Sequence, residues 1–334
     1  KIRFHALAAA TNTTTTVAYR GAGRPEATQL LERLIDVAAD ELGIDPVEIR
    51  KKNLIAPDAF PLTTLGGMNY DSGEYDLALD RALEEAGYDQ LLDQQKQRRE
   101  ENSNRQLGIG VAAYVECTAP TGLHVEYGAV EVHEDGTATA TVGTSAHGQG
   151  HLTAFSMIIS EILGIEMEKV RLVQSDTEQV PRGSGTMGSR SLQTAGSAIH
   201  VASETVLEKA KDLAAHLLEA SADDITVGEG GLHVAGVPAN VVSWADLAQA
   251  SNDESKRPEG MEPGLTHELD FDGADATFPF GAHVAIVEVD VETGGVELVR
   301  HIAVDDCGKI LNPLMVTGQQ HGGIAQGAAQ ALYE

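Results

Sequence analysis

Hydrophobic residues recur at helical spacing in the first part of the chain. After Pro25, the apolar positions three and four residues apart are Leu30, Leu31, Leu34, Ile35, Ala38 and Leu42. Gly43 follows this pattern, as expected at the end of a helix. A second, short helix is predicted from Asp45 and Pro46, which suit a helix cap and a first helical turn. Residues 75–105 are predicted to form one polar helix whose Gln- and Arg-rich end is a linker.

Beyond Leu107 the hydrophobic period changes to two. Side chains alternate from Val125 to His133, Glu134-Asp135-Gly136 is a hairpin turn signal, and Thr137 to Gly143 runs back. Further predicted elements are a helix from His151 to Leu163, a strand from Val170 to Gln174, a long helix from Ala195 to Ala220 and a hairpin of His283 to Asp290 with Val296 to Val304. These strands and helices mix without a regular strand-helix-strand repeat, which favours the α+β class. The length of 334 residues favours two domains, and we place the division at residue 105.

Acidic residues far outnumber basic ones, with 51 Asp and Glu against 23 Lys and Arg and a formal net charge of -28. Such a surface repels phosphate backbones, and the few basic residues form no patch, so nucleic acid is excluded as a partner. Two interpretations remain for the acidity, an ordinary acidic protein and a halophilic one, because screening at high salt weakens self-repulsion. We favour the halophilic interpretation.

Cysteine usage and hydropathy limit the class of protein further. Cys117 and Cys307 lie far apart, with no second cysteine near either, so a disulfide framework, a zinc finger or an iron–sulfur cluster is not expected within this chain. No apolar run approaches the roughly 18 residues that span a bilayer, and the start of the sequence carries no signal-peptide pattern. We therefore expect a cytoplasmic protein without membrane insertion.

Three glycine-rich segments are the candidate chemistry of the chain. The first segment is residues 143–151, the second is residues 182–191 and the third is residues 318–323; the first and third are predicted to open helices. Each segment has two interpretations, a plain turn or a loop whose backbone amides bind an anionic, heteroatom-rich ligand. Gln149 and Gln319 favour the second, because a side-chain amide both donates to and accepts from a planar heterocycle. His147 and His151 give a zinc site as an alternative, although no third ligand stands at the usual spacing.

Several separated motifs, taken in order, carry a resemblance to a known family. They are Ala18-Tyr-Arg-Gly-Ala-Gly-Arg-Pro-Glu-Ala27, Gly148-Gln-Gly-His151, Gly185-Thr-Met-Gly-Ser-Arg-Ser191, Val304-Asp-Asp-Cys-Gly with Asn312-Pro313, and Gly318-Gln with Gly322-Gly-Ile-Ala-Gln-Gly327. The chain resembles the molybdenum-binding large subunit of the xanthine dehydrogenase and aldehyde oxidase family. Within that family it is most similar to the branch of carbon monoxide dehydrogenase large chains. The resemblance identifies residues 1–105 as the later part of a first molybdopterin-binding domain with a linker, and residues 106–334 as an incomplete second one.

The resemblance also implies where a molybdopterin cofactor, in its cytosine dinucleotide form, is bound. It places Arg20, Gly21 and Ala22 beside the molybdenum and the substrate, and the backbone around Gly188 and Ser189 beside the metal ligands. Met187 is also implied to contact the cofactor, and Gln149 to bond the pterin or an oxo group. Other residues implied to contact the cofactor are Gly148, Gln149 and Gly150, with Gln319 at the pterin, Thr186, Arg190 and Ser191 at the phosphates, and Cys307 as a buried residue nearby. No side chain is expected to bind the molybdenum itself, since the pterin holds it. Asp305 and Asp306 are expected to bond backbone groups, and Glu116 is interpreted as a strand-edge charge, with the substrate pocket as the alternative.

The activity implied by the resemblance is hydroxylation of an electrophilic carbon, such as that of an aldehyde or an N-heterocycle, with water as the oxygen source. The two electrons then pass to partners, a small subunit with 2Fe-2S clusters and a medium subunit with FAD, in a dimer of heterotrimers. The resemblance further implies that the family's catalytic glutamate lies downstream of this chain, so we expect the isolated chain to be inactive and part of a longer protein. The alternative is a cofactor-binding or scaffold piece without catalysis.

Gly21 is a departure from the carbon monoxide oxidisers of the family. At this position those enzymes carry a cysteine that holds copper, and Cu(I) requires a soft thiolate ligand. Copper-dependent oxidation of carbon monoxide is therefore disfavoured for this chain.

Overall fold

The computed structural model describes residues 5–14, 17–120 and 122–333. The helices are α1 (Arg24–Leu42), α2 (Pro46–Lys51), α3 (Tyr75–Ala86), α4 (Tyr88–Glu100), α5 (His151–Leu163), α6 (Ser197–Leu218), α7 (Trp244–Asn252) and α8 (Pro313–Tyr333). The strands are β1 (Leu62–Thr63), β2 (Asn69–Tyr70), β3 (Arg105–Val115), β4 (Val125–Val132), β5 (Ala138–Val142), β6 (Val170–Val173), β7 (Ile225–Gly228), β8 (Gly231–Val234), β9 (Val241–Ser243), β10 (Leu265–Asp272), β11 (Phe280–Asp290) and β12 (Val296–Asp306). This mixture of helices and largely antiparallel sheets confirms the predicted α+β class.

The larger of two hydrophobic cores lies between a four-stranded sheet and three helices. The strand order is β10-β4-β5-β6, and α5, α6 and α7 contribute Phe155, Ile199, Leu213 and Leu247 to the core. Strands β5 and β6 are parallel, and α5 connects them. Because parallel strands joined by a helix end at the same sheet edge, the loops that follow β5 and β6 meet there.

The second core packs α3 and α4 against a three-stranded sheet with the order β12-β11-β3. It joins Leu79 and Leu91 to Val111, Val284 and Ile286. The division predicted at residue 105 therefore runs through a shared core. The Gln- and Arg-rich segment expected to be a linker forms part of α4, and the division into two domains stays a prediction.

The polar end of α4 is attached to the neighbouring sheet. The Gln95 side chain donates to the Leu107 carbonyl at 2.9 Å, and Arg98 forms an ion pair with Glu288 at 2.7 Å. Residues 75–105 also form two helices where one was predicted. Gly87 ends α3 in the left-handed conformation, at φ 69, and precedes α4 directly; glycine adopts this conformation without steric cost.

Two other elements begin at positions that differ from their predictions. The third glycine-rich segment lies inside α8, which begins at Pro313, so it does not open a helix as expected. The long helix near residue 195 begins with a π-helical turn, Leu192–Gly196, ahead of α6. The start of α8 follows local signals, because Pro313 suits the first helical position and the Asn312 side-chain oxygen accepts from the Met315 N–H at 3.1 Å.

The apolar stripe of α1 exists as predicted but faces outward in the described part of the chain. Leu30, Leu31 and Leu34 are 62%, 59% and 55% exposed, and Ala39 is the one buried residue recorded for this helix. No helix among the described residues combines the length and apolarity needed to cross a bilayer.

Candidate functional site

The first and second glycine-rich segments cross each other in contact at the edge of the four-stranded sheet. A methyl group on Gly143 would overlap the backbone of Gly183, and one on Gly183 would overlap the backbone of Gly143. Beyond this crossing the Ser145 N–H donates to the Thr186 hydroxyl at 2.9 Å, and the Ser191 hydroxyl donates to the same oxygen at 3.1 Å. The missing side chains at the two glycines thus allow two loops to act as one surface.

The first segment presents unused hydrogen-bond donors before α5 begins. Gly148 and Gly150 have positive φ values of 100 and 81, and nothing lies within 4 Å of the position a Cβ would take on Gly148. The Gln149 side-chain oxygen accepts from the His147 N–H, which leaves the Gln149 NH2 group free to donate. Within the described chain, the N–H groups of residues 148–150 meet no protein acceptor. The segment therefore offers donors to a bound anion.

Arg190 anchors the second segment from beneath. Its side chain is completely buried and pairs with Glu126, which is also completely buried. The guanidinium donates further to the carbonyls of Leu123, Val125 and Gly185. The structure corrects the expectation that Arg190 holds phosphate, because burial keeps the guanidinium from the loop surface and these four protein groups use its donors. Its role is to fix the loop.

The outer part of the second segment faces solvent. Met187, Gly188 and Ser189 are exposed, and the φ values of Gly188 and Ser189 are 58 and 53. The Gly188 carbonyl accepts from the Ala119 N–H at 2.8 Å. Among the residues that the structure covers, no acceptor is recorded for the N–H groups of residues 185–189. The N–H groups of residues 185–189 are thus a second set of available donors, beside those of residues 148–150.

Helix α8 brings Arg20 to the same region. The Arg20 guanidinium donates to the Gln319 carbonyl at 2.8 Å and to its side-chain oxygen at 3.3 Å. It lies against Gly322, where an added Cβ would be 2.9 Å from one guanidinium nitrogen. Gly21 and Ala22 follow with positive φ values of 99 and 49, so this turn is held in a conformation that L side chains rarely adopt.

One face of α8 connects Arg20 with the first glycine-rich segment. Met315, Gln319 and Gly322 are spaced by four and three residues and share that face. Met315 packs against Gly150, and Gly322 packs against Arg20. With a rise of about 1.5 Å per helical residue, these two contacts are roughly 10 Å apart along the helix axis. The structure therefore brings together both loops, Gln319 and the Arg20 turn.

Cys307 does not fit the expectation of a buried residue, because its side chain is exposed. It follows the end of β12, where Asp306 accepts from the Gly308 N–H at 2.8 Å as expected of a strand-end carboxylate. Asp305 differs from its expectation, since its partners are the side chains of Tyr114, His283 and Gln320.

Glu116 is placed beside the start of α1 and forms an ion pair with Arg24 at 2.9 Å. Burial raises the pKa of Glu116, and the neighbouring Arg24 opposes that rise. The Arg24 backbone N–H donates to the Gly21 carbonyl at 3.1 Å, which ties the ion pair to the turn that follows Arg20. The interpretation of Glu116 as a simple strand-edge charge therefore missed its link to the Arg20 turn.

The role of Gln174 and the burial of two polar groups near it were not predicted from the sequence. The Gln174 side-chain oxygen lies 3.2 Å from the Ala146 N–H and 3.1 Å from His151 Nδ1. In the described chain, Thr144 Oγ1 and His151 Nε2 are buried without a hydrogen-bond partner, and burial lowers the pKa of His151. The signal that would have found Gln174 is the parallel pairing of β5 and β6, which places residues 143 and 174 at one sheet edge.

The zinc alternative receives no support from the geometry. Among the described residues, no three His, Cys, Asp or Glu side chains are arranged to hold a metal ion. His147 is exposed, whereas His151 is buried against Gln174.

Comparison with known proteins assigns the chain to a family. The family model described as molybdopterin cofactor-binding domain matches residues 81–334, and a second model of the same description matches residues 1–54. The chain belongs to the molybdopterin cofactor-binding domain family, which confirms the resemblance inferred from the motifs. Its relatives include large subunits of the xanthine dehydrogenase family and carbon monoxide dehydrogenase large chains.

Individual relatives match nearly the whole chain. The carbon monoxide dehydrogenase large chain of Hydrogenophaga pseudoflava is 37% identical over 327 residues, covering 95% of this chain and 40% of the relative. The nicotine 6-hydroxylase large subunit of Paenarthrobacter nicotinovorans is 34% identical over 337 residues, covering 98% and 41% respectively. The crystal structure of quinoline 2-oxidoreductase from Pseudomonas putida 86 superposes with a TM-score of 0.83 at 33% identity and covers 92% of this chain and 40% of that one. The chain thus spans about two fifths of the length of these relatives.

Proposed function

We propose that this chain forms part of the cofactor site of a molybdenum hydroxylase large subunit. The observation that carries the proposal is the convergence of two donor-lined glycine-rich loops, Gln319 and the Arg20 turn on one side of the molecule. Fixed backbone amides explain how a chain with a net charge of -28 binds an anionic cofactor, because they attract negative charge locally whatever the total charge.

The residues present fit molybdopterin, a planar heterocycle that carries phosphate. The N–H groups of residues 148–150 and 185–189 meet no protein acceptor in the described chain, and the free NH2 group of Gln149 suits the polar edge of the pterin. We assign Gln319 to the pterin and the Thr186 hydroxyl to the phosphates, with Ser191 orienting that hydroxyl through the hydrogen bond it donates to Thr186. In the proposed cytosine dinucleotide form, the additional phosphate and base extend the set of groups that these donors bind.

In this proposal Arg190 does not contact the cofactor and instead holds the loop that binds it. Its buried pair with Glu126 fixes the backbone of residues 185–189, whose amides then need no rearrangement when the cofactor binds. Such preorganisation lowers the ordering cost of binding.

When bound, the molybdenum centre supplies activation of a water-derived nucleophile and an acceptor for two electrons. Arg20, Gly21 and Ala22 border the substrate in this proposal, and the Arg20 guanidinium provides a fixed positive charge there. The backbone donors of the two loops orient the cofactor in this proposal.

We propose an aldehyde or an N-heterocycle as the substrate. Relatives named for nicotine and quinoline support a heterocycle, while Gly21 lacks the thiolate that Cu(I) needs. Electrons then leave to a 2Fe-2S small subunit and an FAD medium subunit in a cytoplasmic dimer of heterotrimers, since Cys117 and Cys307 are too few to hold a cluster in this chain.

Molybdenum content tests the proposal. The assembled complex should contain about one molybdenum per large subunit, and Gln149→Ala should lose most of it because the side-chain donor to the pterin is removed. Gln97→Ala is the matched control, since Gln97 lies on α4 and donates to Glu101 at 2.8 Å, away from the loops. Full retention of molybdenum in Gln149→Ala would contradict the assignment.

Turnover by the same complex tests the reaction class. Reduction of an artificial dye with an aldehyde or an N-heterocycle as electron donor is expected, with the product oxygen derived from labelled water. Molybdenum binding without turnover of either class would instead identify a cofactor-holding piece without catalysis.

A further inference from the structure

Asp305 lies at the centre of a polar network that joins four elements outside the loops described above. Its Oδ1 accepts from the Tyr114 hydroxyl of β3 at 2.7 Å and from His283 Nε2 of β11 at 2.9 Å. Its Oδ2 accepts from the Gln320 side chain of α8 at 2.6 Å. An ionised carboxylate has the acceptor capacity for all three donors, so Asp305 links the sheet to α8.

The register of the sheet prepares this arrangement. Gly281 of β11 is paired with Tyr114 on one side and with Asp305 on the other. A methyl group on Gly281 would overlap both Asp305 Oδ1 and the Tyr114 ring. The absence of a side chain in the middle strand therefore lets the two outer residues reach each other across it.

Electrostatics favour an ionised Asp305. Burial alone would raise the pKa of Asp305, but the hydrogen bonds from His283, Gln320 and Tyr114 hold that pKa below its usual value. Burial and the hydrogen bond to Asp305 raise the pKa of Tyr114, which keeps its hydroxyl a donor. His301 Nε2 lies 3.1 Å from His283 Nδ1, and burial together with His283 lowers the pKa of His301. Gln320 therefore meets an acceptor only, which fixes the orientation of its NH2 group.

Apolar packing holds helix α8 mainly at its first turn, where Met315 lies against the larger core and Gly150. None of its residues is recorded as buried, and its sequence from Pro313 to Tyr333 contains no Asp, Glu, Lys or Arg. An open groove of about 690 Å³, lined by His301, Gln320 and Ile324 among others, separates it from β12. The hydrogen bond from Gln320 to Asp305 forms beside this groove, five residues along the helix from the apolar contact of Met315.

Successive residues of an α-helix point about 100° apart, since 3.6 residues make one turn. Fixing Gln320 toward Asp305 therefore turns the neighbouring Gln319 toward the Arg20 guanidinium, which its carbonyl and side chain both bind. We propose that Asp305 is a positioning residue that sets the rotation of α8 through Gln320 and thereby holds Arg20 at the substrate side of the site. The consequence for substrate rests on the proposed function, whereas the mechanical link does not.

A donor and acceptor exchange tests the link in the assembled complex. Gln320→Glu sets two carboxylates against each other, and Gln320→Leu removes the donor to Asp305. Asp305→Asn serves only in the double variant with Gln320→Glu, because Gln320 facing an asparagine can rotate its amide and present its oxygen to the new NH2 group. Each single variant should raise hydrogen–deuterium exchange in residues 17–24 and 318–323 about tenfold, as expected for loss of a hydrogen bond to a charged group. The double variant should restore protection, because the amide introduced at position 305 then donates to the carboxylate introduced at position 320.

Kinetics add a readout that a structural change alone would not move. The single variants should raise KM about tenfold at unchanged molybdenum content, and the double variant should recover it. Gln330→Ala is the control on the same helix. Gln330 lies near the C-terminal end of α8 and donates to Glu26 at 3.3 Å. This variant should leave the hydrogen exchange of residues 17–24 unchanged. Gln320→Leu provides the test if the double variant fails to fold, because it leaves the sheet network intact.

Unchanged exchange in residues 17–24 for folded Gln320→Glu and Gln320→Leu would overturn the link, as would failure of the double variant to restore protection. These results are independent of the proposed function, which fails instead if Gln149→Ala retains its molybdenum.

Discussion

At the scale of the residue, the pair of Arg190 and Glu126 decides the shape of the second glycine-rich segment. Both side chains are completely buried, and Glu126 also accepts from the Tyr127 N–H at 3.0 Å and the Ser184 N–H at 3.3 Å. A buried charge is tolerated only when it is paired and hydrogen-bonded. The two residues therefore form one unit, and the backbone donors of residues 185–189 depend on it.

Removing one partner of this pair should be costly. Arg190→Met leaves the Glu126 carboxylate buried without a counter-charge, and we expect a loss of about 3–5 kcal/mol in the free energy of unfolding. Adding Glu126→Gln to that variant should reduce the loss, because the unpaired charge disappears while the acceptor for Tyr127 and Ser184 remains. Urea unfolding of the three proteins measures both steps.

Arg81→Met is the matched control for the buried pair. Arg81 pairs with Glu84 at 3.0 Å, but the two side chains are 62% and 70% exposed. Exposed pairs contribute about 0–1 kcal/mol, so this variant should unfold almost as the wild type does. A similarly small effect of Arg190→Met would show that the buried pair does not anchor the loop.

At the scale of the element, the site depends on two loops that cross at glycines. The first segment follows β5 and the second follows β6, and these parallel strands bring their ends to one sheet edge. At the crossing, the backbones at Gly143 and Gly183 are too close to admit a Cβ on either residue. The loop positions are thus a property of the β5-α5-β6 unit rather than of either loop.

Gly183→Ala should separate the loops. The added methyl meets the Gly143 backbone, which cannot move aside as a flexible side chain would, and overpacking of this kind costs about 1–3 kcal/mol. We expect a lower urea midpoint and a loss of molybdenum from the assembled complex. Gly110→Ala is the control, because no atom lies within 4 Å of the position of its Cβ, and equal behaviour of the two variants would argue against the crossing.

At the scale of the whole molecule, charge is the dominant feature. A net charge of -28 creates self-repulsion that opposes the compact state. At the proposed cofactor site the donors are fixed amides, which attract an anion locally, and the buried Arg190 guanidinium is paired with Glu126. The interpretation of the acidic surface as an adaptation to salt stays a prediction.

Melting curves in increasing salt test that prediction. Stability should rise between about 0.1 M and 1 M KCl, because the screening length falls from about 10 Å to about 3 Å over that range. We expect the melting temperature to increase by several degrees, and an equal osmolality of sucrose serves as the uncharged control. A melting temperature that is the same at both salt concentrations would remove the halophilic interpretation.

The sequence by itself determined the local elements and the family. Asp45 caps α2 as expected, with its carboxylate accepting from the Val47 N–H at 2.7 Å, and the predicted hairpins of β4 with β5 and of β11 with β12 are present. These features follow from contacts within a few residues or from motifs read in order. A helix cap and a hairpin turn each depend on residues that are close together in the sequence, so both could be predicted without knowledge of the fold.

Only the tertiary structure decided which of the candidate side chains are buried and which are exposed. Arg190 was expected at the phosphates and is buried on Glu126, 64 positions away in the chain; Cys307 was expected inside and is exposed. The Gln320 side chain donates a hydrogen bond to Asp305, and Arg20 donates one to Gln319, which is 299 positions away in the chain. The burial of a side chain and its pairing with a residue far away in the sequence depend on how sheets and helices pack together. A pattern of neighbouring residues does not determine that packing.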